Sequence, residues 1–253
     1  MYMQEMFSLR GKTALVTGAR TGMGQAIAIG LAKAGADLIL LGRRPDMQET
    51  RTLVTETGRR AETVVLDLSD PDLVQWRGRE IAERYRIDVL VNNAGIIRRE
   101  PAIEFSRESW DSVIQTNLSS LFLLTQPIAR PMLERGEGKI INVASVLSFQ
   151  GGINVASYAA SKHAVAGLTK TLANEWGPYG VQVNAIAPGY IETKNTEPLR
   201  RDEERNASIL ARIPAGRWGK PEDISGAAVF LASRASDYVN GHILVVDGGW
   251  LAR

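Results

Sequence analysis

Seven short apolar runs, rich in β-branched residues, alternate with longer stretches of helical periodicity along this chain of 253 residues. This alternation is typical of βαβ units, which build a parallel sheet with helices on both faces. We therefore predict an α/β fold with a doubly wound, seven-stranded parallel sheet, in a single domain over residues 1–253. The predicted strands cover residues 12–17, 37–41, 61–67, 89–92, 139–145, 181–186 and 242–247.

Start and stop signals locate the helices between these strands. Asp70 is a candidate N-cap before Pro71, and Ser106 opens a long helical stretch. No fixed-period repeat or low-complexity segment divides the chain. Besides the stretch that begins at Ser106, the predicted helices cover residues 22–34, 71–85, 157–176, 198–212 and 221–233.

The composition excludes several classes of chemistry. The chain has no cysteine and 2 histidines, His163 and His242, so we expect no thiol catalysis, no disulfide and no metal site. The formal net charge is +2, with basic and acidic residues interleaved, so neither nucleic acid nor a membrane is an expected partner. Residues 1–10 lack the apolar core of a signal peptide and no apolar run could span a bilayer, so the predicted location is the cytoplasm.

A glycine-rich segment follows the first predicted strand. Gly18, Gly22 and Gly24 have the spacing G-x-x-x-G-x-G immediately before a predicted helix. Such glycines allow a tight turn and let the backbone approach a pyrophosphate, which N–H groups of the helix N-terminus can bind. The alternative is an ordinary turn between a strand and a helix. The dinucleotide-binding interpretation assigns to the cofactor Gly18, Arg20, Thr21, Gly22, Met23 and Gly24.

Polar and small residues also follow other predicted strands. Ligands of open parallel sheets bind beyond the carboxyl ends of the strands, so these residues are expected at one site. Taken singly, Asp67 could equally be a helix cap or turn carboxylate, and Asn92 and Asn93 could be turn formers. The residues concerned are Asp67 and Leu68 after the third strand, Asn92, Asn93, Ala94 and Gly95 at the fourth, and Pro188 and Gly189 after the sixth.

A phenol and an ammonium lie four positions apart in the predicted helix over 157–176. This spacing places Tyr158 and Lys162 on one helix face, whereas the adjacent His163 is predicted to point away. Oxidation of an alcohol needs a base for the hydroxyl proton, and a phenol can serve near neutrality if positive charge lowers its pKa from about 10. Ser145, at the end of the fifth predicted strand, and Asn117 complete the set. A tyrosine and a lysine with this spacing are, by themselves, a common surface pair.

Together these motifs resemble the short-chain dehydrogenase/reductase family from the first strand to the C-terminus. The resemblance implies a Rossmann-type fold and hydride transfer between a nicotinamide cofactor and a carbonyl carbon. It implies that Tyr158 is the acid and base, Ser145 a hydrogen-bond donor to the substrate oxygen, Lys162 a source of positive charge and Asn117 the holder of a water. Asp67 is expected at the adenine, and residues 92–95 beside the cofactor. The resemblance also implies a set of residues beside the nicotinamide. They are Tyr158, Lys162, Pro188, Gly189, Ile191 and Thr193.

The end of the second predicted strand bears on the choice between NAD and NADP. NAD enzymes of this architecture carry an acidic residue there, whereas this chain has Arg43. Arg43 and Arg20 could pair with the 2′-phosphate of NADP(H), and a solvated basic turn is an equal alternative. Both cofactors therefore stay open, with the local residues favouring NADP(H).

Four stretches are similar to one branch of the family, the 2-deoxy-D-gluconate 3-dehydrogenases, also named 2-dehydro-3-deoxy-D-gluconate 5-dehydrogenases. They cover residues 92–100, 148–152, 212–219 and 247–253. The similarity implies a deoxy sugar acid as substrate, and that branch is generally described with NAD(H). An acid favours a cationic clamp, and the candidate substrate residues are Arg98, Arg99, Gln150 and Arg217. The alternatives are a reductase of another carbonyl compound, such as a 3-oxoacyl thioester or a polyol, and a cofactor-sensing binding module.

The C-terminus suggests an assembly of subunits. Trp250 and Leu251 follow two glycines at the end of the chain, where we expect them to be exposed unless a neighbouring subunit covers them. The family resemblance implies a homotetramer in which the last strand and the helices carrying Asn117 and Tyr158 pack across two-fold axes. Arg253 would then lie near the anionic ligand of a neighbour.

Overall fold

The structure, a computed structural model, describes residues 2–253 and has one sheet of seven parallel strands. This confirms the predicted α/β class and the doubly wound sheet. The order across the sheet is β3-β2-β1-β4-β5-β6-β7. The strands are β1 (Thr13–Thr17), β2 (Asp37–Gly42), β3 (Ala61–Val65), β4 (Val89–Asn92), β5 (Gly138–Val143), β6 (Val181–Pro188) and β7 (Ile243–Val246).

Ten α-helices accompany the strands in the described residues. No helix among residues 2–253 combines the length and the apolar character that a bilayer crossing needs. The helices are α1 (Tyr2–Met6), α2 (Gly22–Lys33), α3 (Gln48–Thr55), α4 (Pro71–Arg84), α5 (Arg107–Ile114), α6 (Ser120–Arg135), α7 (Ala156–Trp176), α8 (Glu197–Arg201), α9 (Glu203–Leu210) and α10 (Ser225–Ala232).

The strand order reverses at β1, which pairs with β2 on one side and with β4 on the other. The chain therefore leaves β1 and β4 in opposite directions across the sheet, and the loops after these strands diverge into a crevice. The glycine-rich segment after β1 and the segment after β4 line this crevice from its two sides. Topology alone thus places the predicted cofactor residues together.

Both faces of the sheet are covered because successive strand residues point to opposite sides. Val16 joins the apolar core under α2 and α10, and its neighbour Leu15 joins the core under α4, α6 and α7. Burial on both faces explains why the strands read as continuous apolar runs instead of alternating with polar residues. The signal that predicted the strands is therefore a consequence of their central position.

A chain of buried amides crosses the middle of the sheet. Asn92 on β4 donates from Nδ2 to Thr125 Oγ1 on α6 and to Asn142 Oδ1 on β5, both at 2.9 Å. Asn142 donates in turn to Thr169 Oγ1 on α7 at 3.0 Å. These bonds fix α6 and α7 relative to the two strands between them. The side chain of Asn92 therefore supports the centre of the sheet.

Several predicted boundaries are wrong by a few residues. β3 and β5 end two residues before Asp67 and Ser145, which lie in the loops that follow. The helix predicted over 198–212 is two helices, because Asp202 turns out of helical geometry and caps α9 by accepting a hydrogen bond from Arg205 N at 2.9 Å. The helix opened by Ser106 is interrupted by a π-helical turn over Gln115–Ser119. The sequence analysis missed α1 and α3.

The C-terminal tail corrects one expectation directly. Trp250 is only 3% exposed and lies in an apolar cluster of its own chain with Ile213 and Trp218. The guanidinium carbon of Arg212 lies 3.9 Å from the centroid of the Trp250 ring. The expectation that this tail needs a neighbouring subunit for burial is therefore wrong. Arg253 likewise donates to main-chain oxygens of Ala211 and Arg212 in its own chain.

Candidate active site

The glycine-rich segment forms a cradle that side chains would fill. A Cβ atom at position 24 would lie 2.2 Å from the carbonyl oxygen of Gly18, and Gly18 and Gly22 both have positive φ angles, 66° and 61°. The side chain of Thr21 does not cap α2, so the first N–H groups of that helix have no side-chain acceptor there. Backbone donors and free space of this kind fit a pyrophosphate.

The loop after β4 is bonded to this cradle. Asn93 donates from Nδ2 to the carbonyl oxygens of Thr17 and Gly18, at 3.0 and 3.3 Å. The hydroxyl oxygen of Thr17 accepts the backbone N–H groups of Asn93 and Ala94, each at 3.0 Å. The two walls of the crevice therefore hold a fixed separation.

A cleft of about 910 Å³ runs along these loops. Asp67 lines it while its carboxylate also accepts the N–H of Ser69 at 3.0 Å, so the turn role and the cleft position are compatible. Arg43 lines it without a carboxylate partner among residues 2–253, whereas Arg20 pairs with Asp46 at 3.1 Å. The predicted cofactor residues along the cleft are Gly18, Arg20, Thr21, Gly22, Met23, Gly24, Arg43, Asp67, Leu68, Asn93, Ala94, Gly95 and Thr193.

Other predicted cofactor residues lie outside this lining. Pro188 ends β6, and a Cβ at Gly189 would lie 2.7 Å from Asp247 Cα, so that glycine is required by packing. Ile191 directs its side chain into the core beneath α2 and α10, where it is 4% exposed. Any contact of Ile191 with a cofactor would therefore be through its main chain.

The predicted reactive side chains are brought together at the start of α7. Lys162 Nζ lies 5.6 Å from the centroid of the Tyr158 ring and donates to the carbonyl oxygen of Val143, at the end of β5, at 2.6 Å. Ser145 follows Val143 by two residues. Its hydroxyl accepts the Leu147 N–H at 3.1 Å and lies near enough to the Tyr158 hydroxyl to lower the Tyr158 pKa. The exposed His163 instead bonds the carbonyl oxygen of Ala159 in its own helix, at 3.0 Å.

Burial sets the proton affinities of the two principal groups. It lowers the pKa of Lys162 to about 8, since the ammonium has little water around it. Burial raises the pKa of Tyr158, and the Ser145 hydroxyl and the positive charge of Arg99 act in the opposite direction. The chain by itself therefore does not lower the pKa of Tyr158 as the sequence analysis required.

Asn117 lies in the π-helical turn, a feature that recurs at functional sites. Its Oδ1 accepts the N–H of Ile96 at 2.8 Å, and its Nδ2 donates to the Ile96 carbonyl oxygen at 2.9 Å and to Ser161 Oγ at 3.2 Å. The amide therefore ties the loop after β4 to α7, next to Lys162. Its implied role of holding a water stays a prediction.

The four candidate substrate residues do not share one location. Arg99 lies close enough to the Tyr158 and Tyr190 hydroxyls for charge interactions with both, and its Nη2 donates to the carbonyl oxygen of Asn195 at 2.9 Å. Arg98 lines the cofactor cleft. The structure gives Gln150 no hydrogen bond within the described part of the chain.

Arg217 is engaged elsewhere. Its guanidinium pairs with both carboxylate oxygens of Asp223, at 2.6 and 3.1 Å. This pairing lowers the pKa of Asp223 and raises that of Arg217. An arginine in a two-point ion pair is a poor candidate for the substrate clamp, so the structure argues against that prediction.

Two further residues near the site, Tyr190 and Arg200, were not singled out as candidates in the sequence. The Tyr190 ring packs at 5.5 Å from the Trp218 ring and 4.6 Å from the Trp250 ring, centroid to centroid. The charge of Arg99 acts on the Tyr190 hydroxyl. The available signal was its position directly after Pro188 and Gly189, at the carboxyl end of a strand.

The chain is similar to known proteins over nearly its whole length. A family model described as "Enoyl-(Acyl carrier protein) reductase" matches residues 18–251. The 2-dehydro-3-deoxy-D-gluconate 5-dehydrogenase of Bacillus subtilis is 62% identical over 252 residues, covering 100% of this chain and 99% of that protein. The protein of the same name from Dickeya dadantii is 55% identical, covering 98% of both chains.

A solved structure extends the similarity to three dimensions. The gluconate 5-dehydrogenase from Burkholderia cenocepacia, in complex with NADP and tartrate, superposes with a TM-score of 0.95 at 41% identity and 99% coverage of both chains. The chain belongs to the short-chain dehydrogenase/reductase family, which confirms the resemblance drawn from its motifs. It is accordingly an NAD(P)-dependent oxidoreductase that acts on CH–OH groups.

The buried charge of Lys162 gives a testable prediction about stability. A pKa of about 8 instead of 10.5 means that burying the ammonium costs about 3 kcal/mol at neutral pH. Lys162→Met removes this cost. It also leaves the carbonyl oxygen of Val143 without its donor, which costs about 1–3 kcal/mol of stability. We expect the variant to be at least as stable as the wild type at pH 7 by urea unfolding, yet to lose activity by about a hundredfold or more.

The pH dependence has a defined sign. Between pH 8 and 10.5 the unfolded chain binds more protons at this lysine than the folded chain, so the wild type gains stability relative to Lys162→Met as the pH rises. The exposed Lys170 on the same helix provides the control variant Lys170→Met, which should keep the activity of the wild type. A wild type that is clearly more stable than Lys162→Met at pH 7 would contradict the conclusion that burying the Lys162 ammonium costs stability.

Proposed function

We propose that the protein transfers hydride between NADP(H) and the secondary alcohol or ketone of a deoxy sugar acid, as a 2-dehydro-3-deoxy-D-gluconate 5-dehydrogenase or a 2-deoxy-D-gluconate 3-dehydrogenase would. The observation that carries this proposal is the position of Arg99, a cation held by the Asn195 carbonyl within charge-interaction range of the Tyr158 and Tyr190 hydroxyls. The names of the relatives described above support the same substrate class.

Each polar group then has a defined task. When bound, the nicotinamide supplies the acceptor or donor of hydride. Tyr158 takes the hydroxyl proton of the alcohol, or returns it to the ketone oxygen, and Ser145 donates a hydrogen bond to that oxygen. Lys162 supplies positive charge below its pKa of about 8, which favours the phenolate of Tyr158. Arg99 binds the carboxylate.

Other functions fit these residues less well. A 3-oxoacyl thioester needs a long apolar channel, whereas here a guanidinium lies beside the reacting tyrosine. A neutral polyol would leave the charge of Arg99 without a partner at the substrate, although its bond to the Asn195 carbonyl would remain. A cofactor-sensing module has no use for Ser145, Tyr158 and Lys162 in this arrangement.

Substrate choice tests the proposal. Absorbance of the reduced cofactor should show turnover of keto-deoxy sugar acids, with weaker turnover of polyols and none of an acyl thioester mimic. Arg99→Met should raise KM for the acid about tenfold or more and leave the KM for a polyol nearly unchanged. Tyr158→Phe should retain less than about one-tenth of the activity while cofactor binding persists.

Arg217→Met is the matched control for Arg99. It removes an arginine that is already paired with Asp223, so its kinetic constants for the acid should stay close to those of the wild type. Preferential turnover of the thioester, or equal effects of the two variants, would sink the sugar-acid proposal.

Cofactor preference depends on Arg43 in this proposal. Arg43 lines the cleft after β2 without an acidic partner in the described residues, so its charge is available to a 2′-phosphate. The Burkholderia structure contains NADP. In equilibrium titrations, Arg43→Ala should weaken the binding of NADP(H) about tenfold or more and leave the affinity for NAD(H) nearly unchanged. Equal changes for both cofactors would make Arg43 a solvated turn residue.

We further propose a homotetramer in the cytoplasm. A dissociable dinucleotide must be recycled by other enzymes that share its pool, which favours the cytoplasm. The assembly is supported by β7, a short apolar strand at the edge of the sheet with Val245 36% exposed. An exposed apolar edge invites pairing across a two-fold axis. The argument for an assembly therefore rests on the edge of β7 and no longer on the C-terminal tail.

The two edges of the sheet allow a matched test of assembly. Val245→Glu places a charge on the β7 edge, and Val65→Glu places one on the opposite edge, where Val65 is 44% exposed. We expect the first variant to form a smaller assembly in light-scattering measurements and the second to keep the mass of the wild type. Unchanged mass for Val245→Glu would exclude β7 from the interface.

A further inference from the structure

One cationic side chain of the cleft is poorly satisfied by the protein. Arg200, on α8, makes one long hydrogen bond, from Nη2 to the carbonyl oxygen of Thr193 at 3.5 Å. Its Nε is shut off from solvent and has no acceptor within the part of the chain that the structure describes. A charged donor removed from water without an acceptor is costly. The arrangement therefore suits a ligand that brings acceptor oxygens.

The acidic side chains nearby leave the charge of Arg200 uncompensated. Glu197, which lines the same cleft, pairs with Arg201 one helical turn away. Glu192 also lines the cleft and is exposed. No carboxylate among residues 2–253 forms an ion pair with Arg200. The guanidinium thus contributes a positive charge to the cleft.

Thr193 connects Arg200 to the glycine cradle. A Cβ at Gly22, the first residue of α2, would lie 3.5 Å from Thr193 Cγ2. Thr196 holds this segment in place, since its hydroxyl donates to the Ile191 carbonyl oxygen at 2.6 Å and accepts the Thr193 N–H at 3.0 Å. Arg200 therefore approaches the cleft near the uncapped N–H groups at the start of α2.

We propose that Arg200 binds the diphosphate of the dinucleotide, on the side opposite the backbone donors of α2. The planar guanidinium offers paired N–H groups that match phosphate oxygens. The inference rests on the proposed use of a dinucleotide and is independent of the substrate. Because NAD(H) and NADP(H) share the diphosphate, Arg200 contributes to the affinity for both, whereas Arg43 distinguishes them.

Equilibrium calorimetry of the full-length protein tests this assignment. Arg200→Met should weaken the binding of NADP⁺, NAD⁺ and ADP-ribose by similar factors, about tenfold to a hundredfold. Adenosine 2′-monophosphate, which lacks the diphosphate, should bind as it does to the wild type. Arg201→Met is the matched control, since Arg201 lies on the same helix with a side chain 78% exposed. That control should bind every ligand like the wild type.

Four outcomes would overturn the proposal. The first is an Arg200→Met variant that binds both dinucleotides like the wild type. The second is an unchanged cofactor affinity with a raised KM for the acid, which would make Arg200 a substrate ligand. The third is an equal loss for Arg200→Met and Arg200→Lys together with a lower melting temperature, which would make the role structural, since lysine should restore part of the affinity. A wild type that binds no dinucleotide would also refute the proposed cofactor.

Discussion

The junction between the ends of β1 and β4 organises this site. Thr17 and Asn93 exchange hydrogen bonds through both main chain and side chain, so the loops on either side of the strand-order reversal form one rigid unit. The glycine cradle, the cleft and the start of α2 are all placed relative to that unit. A parallel sheet alone would open a crevice here, and these bonds, together with the pairing of β1 with β4, fix its width. The shape of the cradle is thus set by two strand ends, and the glycines keep it free of side chains.

The sequence predicted what depends on periodicity and on strand ends. All seven strands followed from apolar runs, and the shared helix face of Tyr158 and Lys162 followed from helical spacing, since both are local signals. The place of Ser145 beside them was implied by the family resemblance. The boundaries failed where a polar side chain competes with the regular element. Asp202 divides a predicted helix by capping the second half, and the π-helical turn around Asn117 changes the helical phase without any marker in the sequence.

Other failures concern contacts that no local pattern encodes. Trp250 looks like an exposed terminal residue until the fold brings Ile213 and Trp218 around it. Arg98, Arg99 and Arg217 are the same residue type in the sequence, but their surroundings differ. Arg98 lines the cleft, Arg99 lies within charge-interaction range of Tyr158, and Arg217 is paired with Asp223. Only tertiary structure distinguishes a free guanidinium from a paired one, which is why charge alone could not select the substrate ligand.

The bond between Arg99 and the Asn195 carbonyl has a thermodynamic consequence. It joins the loop after β4 to the segment that leads into α8. Where a bound carboxylate draws this guanidinium away from the Asn195 oxygen, acid binding and the position of that segment are linked equilibria. A ligand that stabilises the segment then changes the affinity for the acid by some factor. Because linkage is reciprocal, the acid changes the affinity for that ligand by the same factor. This one hydrogen bond would thus add a coupling free energy between the two ligands to whatever coupling their direct contact supplies.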